Sequence, residues 1–174
     1  MPAILAQISR LRAATNLPVS LVGWSRGGIM AREAARQIPA AVRMVITLGS
    51  PFAAPGASNV GSIWRLLTGG KDATPTPESI KLLARPIPVP ATSIYTRSDG
   101  VVAWQACLEE TGPRREIFEV RTTHIGLGFH PPPLRAIADR LAQPFGEWHP
   151  FRPDPLVAGF FPGSGLTSVE SIPD

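Results

Sequence analysis

The sequence predicts an α/β fold built on a parallel sheet, and three observations carry that reading. Short apolar runs alternate with amphipathic helical stretches along most of the chain. The best run, Val42 to Leu48 (VRMVITL), is apolar at almost every position, as a strand covered on both faces must be. Helical stretches, not tight hairpin turns, separate the runs, and parallel neighbours need such crossovers. With 174 residues, 44% of them hydrophobic, the chain is the size of one domain and can bury a core without disulfides.

The elements follow in order. Residues 3–14 place Ile4, Leu5, Ile8 and Leu11 on one helical face, and Asn16 and Pro18 end that helix. Val19 to Val22 reads as a buried strand ending at Gly23. Gly28 to Ile38 reads as a helix with Ile29, Met30, Ala34 and Ile38 on one side. After the 42–48 strand, residues 49–90 turn rich in Pro, Gly, Ser and Ala, with short helical pieces near 62–67 and 78–85. An insertion of this length is usually functional, and a cap or lid is expected. Pro86, Pro88 and Pro90 enforce an extended return. Thr92 to Thr96 is a third strand, Val101 to Glu110 a predicted helix, and Glu116 to Arg121 a fourth strand whose charges suit an edge. Pro131 to Gln143 forms the last helix, with Leu134, Ile137, Ala138 and Leu141 expected inward. The domain is expected over 1–152, with 153–174 an irregular or disordered tail.

Composition excludes several classes. Twenty Pro and 16 Gly show no repeat period, which rules out collagen and solenoids. No apolar run approaches the ~20 residues of a membrane-spanning helix. The first residues lack a charged segment followed by an apolar core, so as written the expected location is cytoplasmic, unless a segment precedes Met1. The balance is basic, with 17 Lys+Arg against 13 Asp+Glu. Fifteen of those bases are Arg, but only Arg114 and Arg115 are adjacent, and no nucleic-acid module surrounds them. A solvated Arg-rich surface is expected, with no nucleic-acid partner; salt-sensitive DNA or RNA retention tests the contrary reading. The single Cys107 is expected to pack as a small hydrophobe, and three scattered histidines give no metal-ligand spacing. No cofactor motif is present.

One motif carries chemistry. Gly23-Trp24-Ser25-Arg26-Gly27-Gly28 is a G-x-S-x-G pattern set between a strand and a helix. A serine on so sharp a turn is strained and exposed above the sheet, and flanking glycines remove the Cβ clashes that would block it. The helix N-terminus favours negative charge at that point, and the Arg26 amide is the candidate oxyanion donor. A serine nucleophile needs a base and an orienting acid. His124, just past the fourth strand, is the candidate base, with His130 its rival and His149 in the tail. Asp99, after the third strand, is the candidate acid, although Asp99-Gly100 also suits a simple turn. Asp72 and Asp139 are weaker placements. Ser25, Asp99 and His124 each follow a strand's carboxyl end, where open α/β sheets bind ligands. Trp24 and Trp104 are candidate pocket residues.

VSLVGWSRGG (19–28), VITLGSPF (45–52), IYTRSDGVVAW (94–104) and THIGLG (123–128) with PPPLRAIADRLAQ (131–143) together resemble a bacterial lipase/esterase-type α/β-hydrolase. The resemblance implies Ser25 as nucleophile, Asp99 and His124 as its partners, a small-molecule ester as substrate, and the 49–90 insertion as a cap shaping acyl selectivity. It also implies a partial fold of about four parallel strands. The family has about eight, with the nucleophile after the fifth, so the N-terminal strands and the second oxyanion donor are expected to be missing here. The nucleophile strand would then be an exposed apolar edge open to self-association. The expected function is carboxylic ester hydrolysis through an acyl-enzyme. The alternative is a silent or partner-dependent part of a hydrolase, and thioester cleavage or acyl transfer is a further use of the same triad.

Overall fold

The computed structural model describes residues 1–53, 77–110 and 112–163. The helical piece expected at 62–67, Asp72, most of the insertion and the tail from 164 onward lie outside the described residues. The elements are α1 (Pro2–Thr15), β1 (Val19–Trp24), α2 (Arg26–Gln37), β2 (Val42–Leu48), α3 (Pro77–Ala84), β3 (Ala91–Tyr95), β4 (Arg115–Glu119), α4 (Gly126–Phe129) and α5 (Pro131–Ala142). The four strands form one parallel sheet in chain order, β1-β2-β3-β4. All carboxyl ends therefore reach the same edge. The fold is the α/β arrangement that the periodicity predicts. No described helix is long and apolar enough to cross a membrane.

Each face of the sheet has its own core. On one face, Ile8 of α1 and Ala31, Ala34 and Ala35 of α2 pack on Val42, Val45 and Ala91, with Val19 and Leu21 alongside. The small alanines let α2 lie close to the strands. Ile87 and Val89, set between the three prolines, are 1% and 9% exposed and join the same core, so the extended return is a packed one. On the other face, Met44, Ile46, Leu48, Ile94 and Phe118 meet Leu127, Ala136, Phe151 and Phe161. Phe118 stacks on Phe151 at 4.7 Å, and Phe161 meets both rings edge-on. Packing thus does not stop at residue 152. Residues 153–163 are irregular apart from one 3-10 turn, Ala158–Phe160, yet they carry a core aromatic.

Several local expectations need correction. The 101–110 stretch is not an α-helix. It holds a single 3-10 turn, Trp104–Cys107, whose Ala106 and Cys107 carbonyls accept from the Ala53 amide at 2.8 Å and Ser93 Oγ at 2.6 Å. On α5 the inward face is Pro132, Pro133, Ala136 and Arg140, whereas Leu134 and Leu141 are 45% and 38% exposed. Leu11 of α1 is likewise exposed. β1 and β4 are the edge strands of the described sheet. β1 leaves Val22 and Trp24 exposed on one face.

The arginines are only partly a solvated surface. Arg32 is buried in an ion pair with Glu109, lies 3.7 Å under the Phe52 ring, and donates to the Arg85 carbonyl at 3.1 Å. Arg36 donates to the Leu83 carbonyl at 2.9 Å and also to that of Arg85, closing the last turn around α3. Burial and the adjacent Arg32 charge lower the Arg36 pKa. Arg140 binds Glu116 at 2.8 Å, and Glu116 also accepts from Thr92 Oγ1 and the Phe151 amide. Edge-strand charge here is an internal brace.

Candidate active site

The turn between β1 and α2 is built by close backbone approach. Ser25 sits at φ 55°, ψ −124°, a strained conformation for a residue with a side chain. Its amide donates to the Leu48 carbonyl at 2.8 Å, which locks the turn to the end of β2. A Cβ at Gly23 would meet the Gly28 Cα at 2.4 Å, and one at Gly28 would meet Ser50 Oγ at 2.1 Å. Nothing lies within 4 Å of a Cβ at Gly27. The steric need therefore falls on Gly23 and Gly28, while Gly27, the last glycine of the sequence pattern, is free. Arg26 is the first residue of α2, so its amide is one of the helix-start donors without an intrahelical acceptor.

Asp99 and His124 come together past the carboxyl ends of β3 and β4. Asp99 Oδ2 lies 2.6 Å from His124 Nδ1, with the two side chains 1% and 8% exposed. Asp99 Oδ1 accepts from the Val101 and Val102 amides. Both carboxylate oxygens are thus assigned. An ionised carboxylate only accepts, so Oδ2 calls for a proton on Nδ1 and leaves Nε2 as the acceptor. Among the described residues Ser25 Oγ makes no hydrogen bond, so serine and imidazole share an edge of the sheet without being joined. Serine–imidazole contacts often tighten only around substrate.

Gly49 supplies the space for this meeting. It has φ 52°, and a Cβ there would meet Leu127 at 2.8 Å and both Asp99 Oδ2 and His124 Nδ1 at 3.2 Å. Sequence reasoning passed over it. A glycine directly after the most apolar strand, at the functional edge, was the available signal.

Trp24 bridges the elbow and the histidine loop. Its Nε1 donates to the His124 carbonyl at 3.0 Å, its ring lies 5.6 Å from the imidazole, and Phe129 meets it edge-on at 5.9 Å. Trp104 stacks instead on Tyr95 at 5.6 Å, with the Arg97 guanidinium 4.7 Å from its ring centroid. Among the rivals, His130 immediately precedes α5, makes no side-chain capping bond and faces Phe160 at 5.4 Å, His149 pairs with Glu147, and Asp139 pairs with Arg140. Cys107 is fully buried, and burial, with the Asp99 charge, pushes its thiol up to about 12.

Two surface clefts lie away from these residues. One, of about 290 Å³, opens at the amino ends of the strands between Pro18, Arg43, Pro90 and Arg114. The other, of about 510 Å³, lies beside Arg140 and His149. The strained serine and the buried Asp99–His124 pair lie outside both clefts.

No protein-family model matches the chain, and no curated protein matches it in sequence. Solved structures do match in fold. Aspergillus fumigatus lipase B superposes with a TM-score of 0.63 at 18% identity, over 80% of this chain and 40% of that one. MGS-MChE2, an α/β hydrolase enzyme from a lagoon-sediment metagenome, gives 0.53 at 15% identity over 80% and 68%. The thioesterase domain from the curacin biosynthetic pathway gives 0.51 at 18% identity over 80% and 72%. The chain spans 61% of a matched Acinetobacter baumannii protein and well under half of lipase B. Four parallel strands with flanking helices, superposing on these structures over about 80% of this chain, constitute a partial α/β-hydrolase fold.

Proposed function

We propose that the chain carries the machinery of a serine hydrolase acting on carboxylic esters. The observation behind this reading is the strained Ser25 turn at the same sheet edge as the buried Asp99–His124 pair. In this mechanism Ser25 Oγ attacks the ester carbonyl carbon while His124 Nε2 takes its proton. The Arg26 amide donates to the oxyanion that forms. Collapse breaks the bond to the alkoxide, which leaves with the proton from the imidazolium. Water, deprotonated by His124, then attacks the acyl-enzyme, releases the acid and restores Ser25. Asp99 holds the imidazole tautomer throughout. Likeness to a thioesterase domain makes thioesters a related class for the same steps.

The decisive test pairs labelling of the purified chain by a fluorophosphonate with turnover of p-nitrophenyl butyrate, each beside Ser25→Ala. Labelling and turnover in the wild type alone are expected. Equal labelling of Ser25→Ala would sink the assignment.

A second reading rests on β1, which pairs only with β2 among the described residues and exposes Val22 and Trp24. Here a further polypeptide along β1 supplies the second oxyanion donor, and the chain alone is silent. Losing one such donor typically costs ~3–4 kcal/mol in the transition state. A soluble, folded chain that takes no label favours this reading over the first.

A further inference from the structure

We infer that Trp24 is a positioning residue, which sets the distance between the serine elbow and the histidine loop; the inference deepens the serine-hydrolase reading and rests on it. Asp99 fixes the imidazole ring through Nδ1 but has no bond to the elbow. Ser25 is anchored to β2 through its amide, and makes no bond to the loop that carries His124. The connection between the two runs through the neighbouring residue. The indole N–H of Trp24 donates at 3.0 Å to the backbone carbonyl of His124 itself, across 100 positions of sequence. This bond fixes the histidine's main chain, whereas the carboxylate fixes its ring, so together they leave the imidazole little freedom.

The surroundings fit that role. Phe129 closes on the indole edge at 5.9 Å, and Gly128 comes so near that an added Cβ would lie 3.6 Å from the indole ring. The 124–129 segment is thereby folded around one side chain from the elbow. Trp24 is 37% exposed, which a purely space-filling core residue would not be. The serine and base must be aligned to within fractions of an ångström, and a 1 Å error costs on the order of a hundredfold in rate.

The test compares wild type with Trp24→Phe, which keeps an aromatic ring and loses the donor. A second variant carries 3-benzothienylalanine at position 24, which keeps the indole shape and replaces N–H by sulfur; it serves if the phenylalanine variant fails to fold. The readouts are kcat and KM for p-nitrophenyl butyrate, and solvent exchange of the downfield Nδ1–H proton of His124 by NMR. The expected result is a fall in kcat of about tenfold or more with KM little changed. The Nδ1–H signal should persist but exchange faster, because the Asp99 bond survives on a looser loop. Unchanged kcat with unchanged exchange overturns the inference. So does a rise in KM alone, which would make Trp24 a wall of the ester pocket. If the wild type hydrolyses nothing, ester turnover by the chain alone fails by itself, and the exchange rate still decides whether Trp24 holds the loop.

Discussion

Asp99→Asn isolates the imidazole tautomer from every other property of the site. The two amides of Val101 and Val102 point at Oδ1 from 2.8 Å each, and both require an acceptor. The amide oxygen of the new asparagine must therefore keep that place. Its NH2 group is left facing His124 Nδ1 across the 2.6 Å gap that Oδ2 occupied. Two donors cannot share that contact, so Nδ1 gives up its proton and the imidazole carries it on Nε2 instead. An Nε2–H cannot accept the serine proton. Reversal of the tautomer in a serine triad lowers kcat by about 10⁴, roughly 5.4 kcal/mol at 1.36 kcal/mol per tenfold. The two turn hydrogen bonds survive, so Tm should shift by only a few degrees. Asp99→Ala differs: it takes the acceptor from the exposed Val101 amide, which water can replace, and from the part-buried Val102 amide, at about 1–3 kcal/mol for the latter, and should melt below Asp99→Asn. Turnover of p-nitrophenyl butyrate and thermal melts on the three proteins check both statements. An Asp99→Asn enzyme retaining a tenth of wild-type kcat would refute the tautomer argument.

Further outcomes follow from the same geometry. Gly28→Ala forces a Cβ onto Ser50 Oγ and should lose fluorophosphonate labelling of Ser25. Gly27→Ala meets nothing within 4 Å and, inside a helix, should raise stability by about 0.5–1 kcal/mol in urea titrations. Glu109→Gln strands the buried Arg32 charge and should cost about 3–5 kcal/mol, with the Arg32→Met/Glu109→Gln pair costing less than the sum of the singles. Cys107, raised by burial from 9.0 to about 12, keeps its proton longer when folded than unfolded. The unfolded state thus binds fewer protons between those values, and stability should fall as pH rises from about 9 towards 12. Cys107→Ala should flatten that slope, and a disulfide reagent at pH 8 should modify the wild type only on unfolding.

What was legible in the sequence was what periodicity and strong local geometry encode. A short, almost wholly apolar run rich in β-branched residues reads as a covered strand, so β2 was readable, and G-x-S-x-G between a strand and a helix has few other uses. The meeting of Asp99 with His124 was readable because parallel strands deliver their carboxyl ends to one edge. Three features escaped for physical reasons. Hydropathy ranks Leu134 and Leu141 above Pro133 and Arg140, yet a proline buries well and an arginine can be buried once Glu116 neutralises it. Phe151 and Phe161 lie in an aperiodic segment, and filling a hollow over Phe118 needs no period. The turn after Asp99 looked helical because its composition is permissive and Asp99 accepts from the next amides as a helix cap does, yet the chain closes only a 3-10 turn, whose Ala106 and Cys107 carbonyls accept from the Ala53 amide and Ser93 Oγ instead.

The Arg32 clamp bears on how this chain can vary. One guanidinium holds Phe52, where the insertion leaves the sheet, and the Arg85 carbonyl, where it comes back. Both stems are thus tied to the helix that starts beside Ser25, whatever joins them. A loop of another length grafted between the two stems should therefore leave the register of the four strands unaltered. Such a pair of fixed posts separates the architecture of the sheet from the identity of the segment strung between them.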